Sequence, residues 1–232
     1  MIGLGFGNFQ AVTQAPFSFG NALQFDGAND FVEFTPISLT DFTVNIWFNA
    51  NLIAGASFRG LICNSYSGNT YILLYNNNGT NSIRVSCGSI GSFFFNVSAF
   101  SLSTWNMLTV KRSGANVQVF FNGNESSTGT LVINSNPINF NRLGSYSNVT
   151  SNFMFNGKQD EFSIYDTALS DADILGLYNG GLGDFATNYS PANLQAYWRM
   201  NGVSGDSTAV DEEGTYNGTL NNFDTATCWV AH

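Results

Sequence analysis

The residues able to do chemistry here are few, and their spacing narrows the options. Serine- or cysteine-type hydrolysis needs a positioned base, and the sole histidine is His232. Paired carboxylates for glycoside hydrolysis come next, with Asp160, Glu161 and Asp166 as candidates on one predicted strand. Asp160 and Asp166 would share a face of that strand, but six residues at ~3.3 Å each put them ~20 Å apart. Retaining hydrolysis wants ~5–5.5 Å between carboxyls and inverting hydrolysis ~6.5–9.5 Å. Glu161 is expected on the opposite face with Ser163 and Tyr165. Gly3, Gly5 and Gly7 follow no strand, so they predict no phosphate-binding loop. The expectation is that the chain is not an enzyme.

Three cysteines, Cys63, Cys87 and Cys228, supply neither a disulfide framework nor a zinc site. Cys63 and Cys87 could face each other on adjacent strands and pair in an oxidising compartment, or remain free buried thiols. Trp47, Tyr66, Tyr71 and Tyr146, with Asn76, Asn77 and Asn78, are the residue types that hold sugars. Aromatics on strands are more often core than platform, so no binding face follows from them alone. Sequons at Asn78, Asn96, Asn124, Asn148, Asn188 and Asn217 are acceptors only in a secreted eukaryotic protein.

The 232 residues carry 16 acidic and 7 basic side chains, a net charge of −9 that leaves no cationic surface for nucleic acid. Hydrophobic residues make up 44% and charged residues only 10%, the reverse of what disorder requires. The exterior must therefore be covered mainly by Asn, Ser, Thr and Gly. No window approaches the ~18 apolar residues of a membrane span. The first eight residues lack a basic start and a continuous apolar run, which predicts no secretion signal of their own.

These side chains must be positioned by strands. Short runs rich in Phe, Val, Ile, Thr and Tyr occur at 22–25, 31–34, 42–49, 58–64, 71–75, 82–87, 105–112, 117–122, 138–143 and 157–166, divided by Gly/Asn/Ser clusters. Phe42, Val44, Ile46 and Phe48 alternate with Thr43, Asn45, Trp47 and Asn49, so one set faces a core and the other the opposite side. Residues 105–123 predict a hairpin turning at Ser113-Gly114-Ala115-Asn116. One helix is predicted, with Ser170 as N-cap, Asp173 as its capping-box partner and Gly180-Gly181 as the stop. The pattern is all-β: a two-sheet antiparallel sandwich with one short helix and a C-terminal extension.

Four segments in order resemble one family. Phe25-Asp26-Gly27-Ala28-Asn29-Asp30-Phe31, Phe42-Thr43-Val44-Asn45-Ile46-Trp47-Phe48, the 105–123 hairpin and Gly157-Lys158-Gln159-Asp160-Glu161-Phe162 are similar to laminin-G-like domains of the concanavalin A-like lectin/glucanase superfamily. The resemblance implies a jelly-roll sandwich over 20–183, preceded by an arm, 1–19, and followed by an extension, 184–232, packed on the sandwich or on a neighbour. It also implies that the first and last strands pair, bringing Asp26 and Asp30 toward Asp160 as a calcium site. The alternative is that Asp26-Gly27 makes a turn and Asp160 caps or pairs locally with Lys158.

Members of such a family bind, build or catalyse, so the resemblance leaves the role open. The expected role is a non-catalytic virion surface protein, of the capsid-decoration, head-fibre or tail-associated kind as in a bacteriophage. Its partners would be other virion proteins, copies of itself or a cell-surface glycan, and it would assemble in the host cytoplasm. The alternatives are an extracellular glycan-binding adhesin and a glycoside hydrolase fragment.

Overall fold

The computed structural model describes residues 16–51, 58–64, 70–77, 80–87, 92–95, 100–126, 131–132, 136–146 and 153–232. In chain order the strands are β1 (Asn21–Asp26), β2 (Phe31–Leu39), β3 (Phe42–Ala50), β4 (Phe58–Cys63), β5 (Thr70–Asn77) and β6 (Thr80–Cys87). Next come β7 (Ser92–Phe95), β8 (Trp105–Ser113), β9 (Asn116–Phe121), β10 (Asn124–Glu125), β11 (Leu131–Val132) and β12 (Ile138–Leu143). β13 (Asn156–Tyr165), helix α1 (Asp171–Tyr178), β14 (Leu194–Trp198), β15 (Thr208–Ala209), β16 (Gly218–Asn221) and β17 (Trp229–Ala231) complete the described elements.

They form two antiparallel sheets. Sheet A runs β10-β9-β8-β3-β13-β1-β17, with β11 on β9 and β14 on β13; sheet B runs β15-β16-β2-β12-β4-β5-β6-β7. The inner faces meet as the period-two pattern dictates: Phe42, Val44, Ile46 and Phe48 of β3 and Phe162 and Ile164 of β13 pack against Phe34, Leu61, Ile72, Ile83 and Phe140 of sheet B. At the centre of sheet A, Gly157 has φ +144°, and a Cβ there would lie 2.1 Å from the Asn49 carbonyl oxygen. Only glycine lets β13 approach β3 so closely.

Two details depart from the sequence pattern. The run beginning at Phe31 does not end at Phe34 but continues to Leu39, through Thr35 and Pro36. The register against β12 shifts across this stretch, so Pro36 sits at an irregularity where a missing N–H costs little. The helix opens with the predicted Ser170–Asp173 capping box but stops at Asn179, which takes a left-handed conformation (φ 47°) one residue before the glycines.

The segment after residue 183 is stitched into both sheets: β14 pairs with β13, β17 with β1 and β16 with β2. Trp198 of β14 carries much of this join. It stacks on Phe162 at 4.9 Å, packs against Phe34 at 4.7 Å and donates its indole N–H to the Tyr216 carbonyl. At 1% exposure it is a core residue of the sandwich. Trp198→Ala is expected to lower the free energy of unfolding by about 3–5 kcal/mol, read from denaturant titration. A loss below about 1 kcal/mol would mean that the C-terminal strands pack only peripherally.

Candidate functional site

Sheet A is buried on its outer face as well. Helix α1 and the short turns after it cover Trp47, Met107, Phe120 and Tyr165, with Ile174, Leu177 and Ala186 forming a second core. Thr43 accepts from the Leu169 N–H and donates to the Thr167 carbonyl, and the Lys111 ammonium donates to the Leu169 carbonyl and pairs with Asp171. Trp47, a candidate sugar platform in the sequence, stacks at 5.8 Å on Tyr178 of α1 and is 3% exposed. It serves packing.

The predicted acid candidates meet on this covered face, differently from the alternation rule. Asp160 faces Trp47 of β3, and the β13 register then shifts before Ser163. Glu161 takes φ +47° at the bulge, which turns its carboxylate to the same side as Asp160 rather than the opposite one. The expected opposition of Glu161 and Asp160 is thereby corrected. Asp166 lies beyond the strand and holds Asn193 and Gln195. Lys158 donates to the Ala231 carbonyl and not to Asp160.

The Asp160–Glu161 pair is sealed. Asp160 bonds the His232 Nδ1 at 2.7 Å and accepts from the Glu161 N–H. Glu161 accepts from the Tyr197 hydroxyl and from Arg199 Nε. The His232 ring is sandwiched between Phe19 at 3.6 Å and Trp105 at 3.7 Å. Arg199 lies over Phe185 and Phe17 and reaches the Ser18 carbonyl. Burial, reinforced for Glu161 by the neighbouring Asp160 charge, pushes both carboxyls up to about 8. Burial first, then the Lys158 charge, holds His232 down to about 4. At neutral pH the Asp160–His232 contact is therefore a neutral hydrogen bond, with the carboxyl donating to the imidazole. Two elevated carboxyls would suit acid–base chemistry, but here their oxygens are occupied and rings close the approach.

Asp26 and Asp30 do come together, at the edge of sheet A. Asp30 accepts from the Asp26 N–H, and Asp26 accepts from the Ala28 and Asn29 N–H groups. Both line a cleft of about 450 Å³ with Gln24, Asn222, Asp224, Thr227 and Cys228. Burial, followed by the nearby Asp26 charge, raises Asp30 to about 6 against the opposing Asp26 backbone hydrogen bond. β1 and β13 pair as expected, but Asp26 faces Asn156, four residues from Asp160 and so ~13 Å along the strand. The predicted Asp26, Asp30, Asp160 calcium set is therefore not assembled. Among the described residues no group of three or more His, Cys, Asp or Glu side chains could hold a metal ion.

The outer face of sheet B has a different character. Register puts Cys63, Tyr71, Leu73 and Arg84 on one side, opposite the inner core, and adds Arg142 beside Cys63. Arg84 lies over the rings of Phe58 (4.7 Å) and Tyr71 (5.4 Å). Tyr71 meets Tyr146 edge-on at 5.0 Å, Tyr146 meets Phe153 at 5.5 Å, and Phe153 stacks back on Phe58 at 6.4 Å. Four rings and one guanidinium thus form a continuous cluster, with Arg84 bridging Phe58 and Tyr71. Phe58, Arg84, Tyr146 and Phe153 remain partly exposed while Tyr71 is buried beneath them. Arg142 covers Phe31 and pairs with Glu33 at 2.9 Å. Two of the proposed sugar-binding aromatics, Tyr71 and Tyr146, are therefore brought together; Tyr66 and Asn78 lie outside the described residues, as do the side chains of Asn76 and Asn77. Cys63 is a free buried thiol that burial pushes up, and Cys87, facing Thr70, stands beyond the intervening β5. Two strand spacings, ~9.6 Å, exceed the reach of a disulfide, so the expected adjacency of these cysteines is corrected.

A laminin-G-type sequence profile, described as concanavalin A-like lectin/glucanases superfamily, matches residues 26–175. The chain belongs to this superfamily. No curated protein sequence matches it. Its fold is similar to that of a Bacteroides ovatus protein provisionally described as carbohydrate binding, with TM-score 0.70, 15% identity and coverage of 93% of this chain. The present chain spans 62% of that protein. The heptameric SAP-like pentraxin of Limulus polyphemus is similar at TM-score 0.60 and 12% identity, covering 90% of this chain and 97% of the other. Domain 4 of an extracellular arabinanase from Geobacillus stearothermophilus, solved with arabinotriose, gives TM-score 0.52, 18% identity and coverage of 70% and 78%. At these identities the likeness is one of fold.

The sealed acids make stability depend on pH. A carboxyl whose folded pKa is raised binds its proton more firmly when folded, so its contribution is full below pH ~4 and is lost as pH climbs to about 8. His232, lowered to about 4, acts oppositely between pH ~4 and ~6.5. Above ~6.5 only the acids titrate, so the melting temperature should fall between pH 6.5 and 8, and Asp160→Asn should flatten that decline. A melting temperature that rises across this window would contradict the assignment.

Proposed function

We propose that this chain is a non-catalytic carbohydrate-binding module that takes its ligand on the outer face of sheet B. The observation that carries the reading is the cluster of Phe58, Tyr71, Tyr146 and Phe153, in which Phe58, Tyr146 and Phe153 are partly exposed. Flat rings offer apolar area for the C–H face of a sugar. On sheet A, helix α1 and the turns after it cover Trp47, Met107, Phe120 and Tyr165. The sealed Asp160–Glu161 pair supports the absence of catalysis, since no polysaccharide reaches those carboxyls in this arrangement. Related folds whose descriptions mention carbohydrate binding and bound arabinotriose are consistent with it.

The setting we propose is a virion surface, where the module would contact neighbouring subunits and a host glycan; the amide-rich, sparsely charged composition supports this reading. An extracellular adhesin is the alternative. Mass spectrometry of purified particles that finds no such polypeptide would remove the virion setting and leave the binding activity untouched.

The binding reading is tested on a glycan array followed by calorimetry. Tyr146→Ala and Phe153→Ala should each weaken glycan binding about tenfold, with melting temperature and circular dichroism retained; that factor corresponds to one lost ring contact of ~1–1.5 kcal/mol. Wild-type affinity in both variants would place the site elsewhere, and release of new reducing ends from a bound polysaccharide would overturn the non-catalytic assignment.

A further inference from the structure

We infer that residues 230–232 form a proton-gated strap over sheet A, hinged at Trp229, closed at neutral pH and released when Asp160 and Glu161 are both ionised; the inference is independent of what sheet B binds. The strap is lightly held by its backbone. β17 pairs with β1 at three positions, Asn21–Ala231, Ala22–Val230 and Leu23–Trp229. The His232 N–H reaches the Gly20 carbonyl at 3.3 Å, and the Lys158 ammonium donates to the Ala231 carbonyl at 2.9 Å. Val230 is half-buried and Ala231 exposed, so the His232 ring is the main anchor. That ring is clamped between Phe19 and Trp105, with its Nδ1 2.7 Å from Asp160. Trp229 is fixed separately. Its indole N–H donates to the Asp206 carbonyl, and its ring lies so near Gly202 that a Cβ there would come within 2.4 Å. Trp229 can therefore stay seated while the residues after it move.

Beneath the strap lie two adjacent carboxyls, Asp160 and Glu161, 0% and 3% exposed. The titratable and charged groups around them are His232 from the strap, Lys158 from β13, and Tyr197 and Arg199 from β14 and the residue after it; Glu212 acts on Arg199 from further out. Arg199 pairs with Glu161 at 3.2 Å, while Lys158 is turned to the strap's own backbone. With protons bound, the Asp160–His232 contact is neutral and no charge is stranded. With both acids ionised, one guanidinium faces two carboxylates in a dry site, a penalty that entering water relieves. The shortest way in is past the His232 ring, because β13 itself is fixed between β3 and β1. Opening a three-residue end costs less than unfolding the sandwich. Burial pushes both carboxyls up to about 8, so they stabilise the closed strap below that pH and cease to as pH rises through it. His232, held down to about 4 by burial and then the Lys158 charge, changes no charge in this range. Release would bare the ring faces of Phe19 and Trp105 and the backbone of Asn21 and Ala22.

The test reads the strap through its own side chain. His232 is the sole histidine, so its imidazole gives one set of NMR signals, displaced upfield while the ring is stacked. The full chain is titrated from pH ~6.5 to ~9.5, where that imidazole stays neutral. The expected result is loss of the displacement as pH rises past about 8, while the Trp198 indole N–H, bonded to the Tyr216 carbonyl in the core, keeps its signal. Asp160→Asn keeps a donor for the imidazole and removes the charge, so it should hold the displacement throughout the titration. Glu161→Gln leaves one carboxylate to the Arg199 guanidinium, should do the same, and serves if the asparagine variant does not fold. A wild-type imidazole that stays displaced to the end of the titration overturns the inference. So does loss of the Trp198 signal in the same step, which would be unfolding of the whole sandwich, and so does release in the variants at the wild-type pH.

Discussion

Hydrogen bonding fixes a sheet's faces before any side chain is chosen, and the exposure of those faces governs what this protein can do. In sheet A the inner face packs into the sandwich and the outer face lies under α1 and the turns that follow it. Both sides of β3 and β13 are consequently spent on stability. On the outer face of sheet B, Cys63, Tyr71 and Leu73 form a small buried cluster, and Phe58, Arg84, Tyr146 and Phe153 are partly exposed.

The covered face nevertheless holds the most perturbed acid chemistry in the molecule. Asp160 and Glu161 sit side by side because the β13 bulge breaks alternation, and they gather His232, Tyr197 and Arg199 around them. Those contacts tie the residue 17–19 segment and the 229–232 segment to the centre of sheet A. A buried acid that ionises poorly but is fully hydrogen-bonded is a specific fastener, costly to leave half-made. Its raised pKa values follow from this burial within the fold. Strong pKa shifts mark both catalytic and structural networks, and access separates the two.

Much of the sandwich was legible in the sequence because its signals are local. β3 alternates cleanly, β8 and β9 are joined by a turn whose residues tolerate left-handed backbone, and Ser170 with Asp173 announces the helix. What failed to show was non-local or conformational. Glu161 carries no residue-type mark of a left-handed bulge, so parity placed it opposite Asp160. β16 and β17 are four and three residues long and owe their existence to pairing with β2 and β1. Cys63 and Cys87 looked like neighbours because β5 could be counted as a strand but not placed between them. At the candidate site the residue types of Tyr71 and Tyr146 were readable, whereas their meeting depends on sheet B's register and on Arg84, which has no sequence motif to mark it. Trp47 looked equally suitable as a platform, and only the packing of Tyr178 against it shows otherwise.

A single structural experiment reaches the central claim most directly: mapping where a bound oligosaccharide lies, by crystallography of the complex or by amide shift changes on titration. The account predicts contacts clustered at Phe58, Arg84, Tyr146 and Phe153 on the outer face of sheet B, with the covered face of sheet A unperturbed. A ligand seated against Asp160 and Glu161, or in the Asp26–Asp30 cleft, with those four residues unchanged, would contradict it.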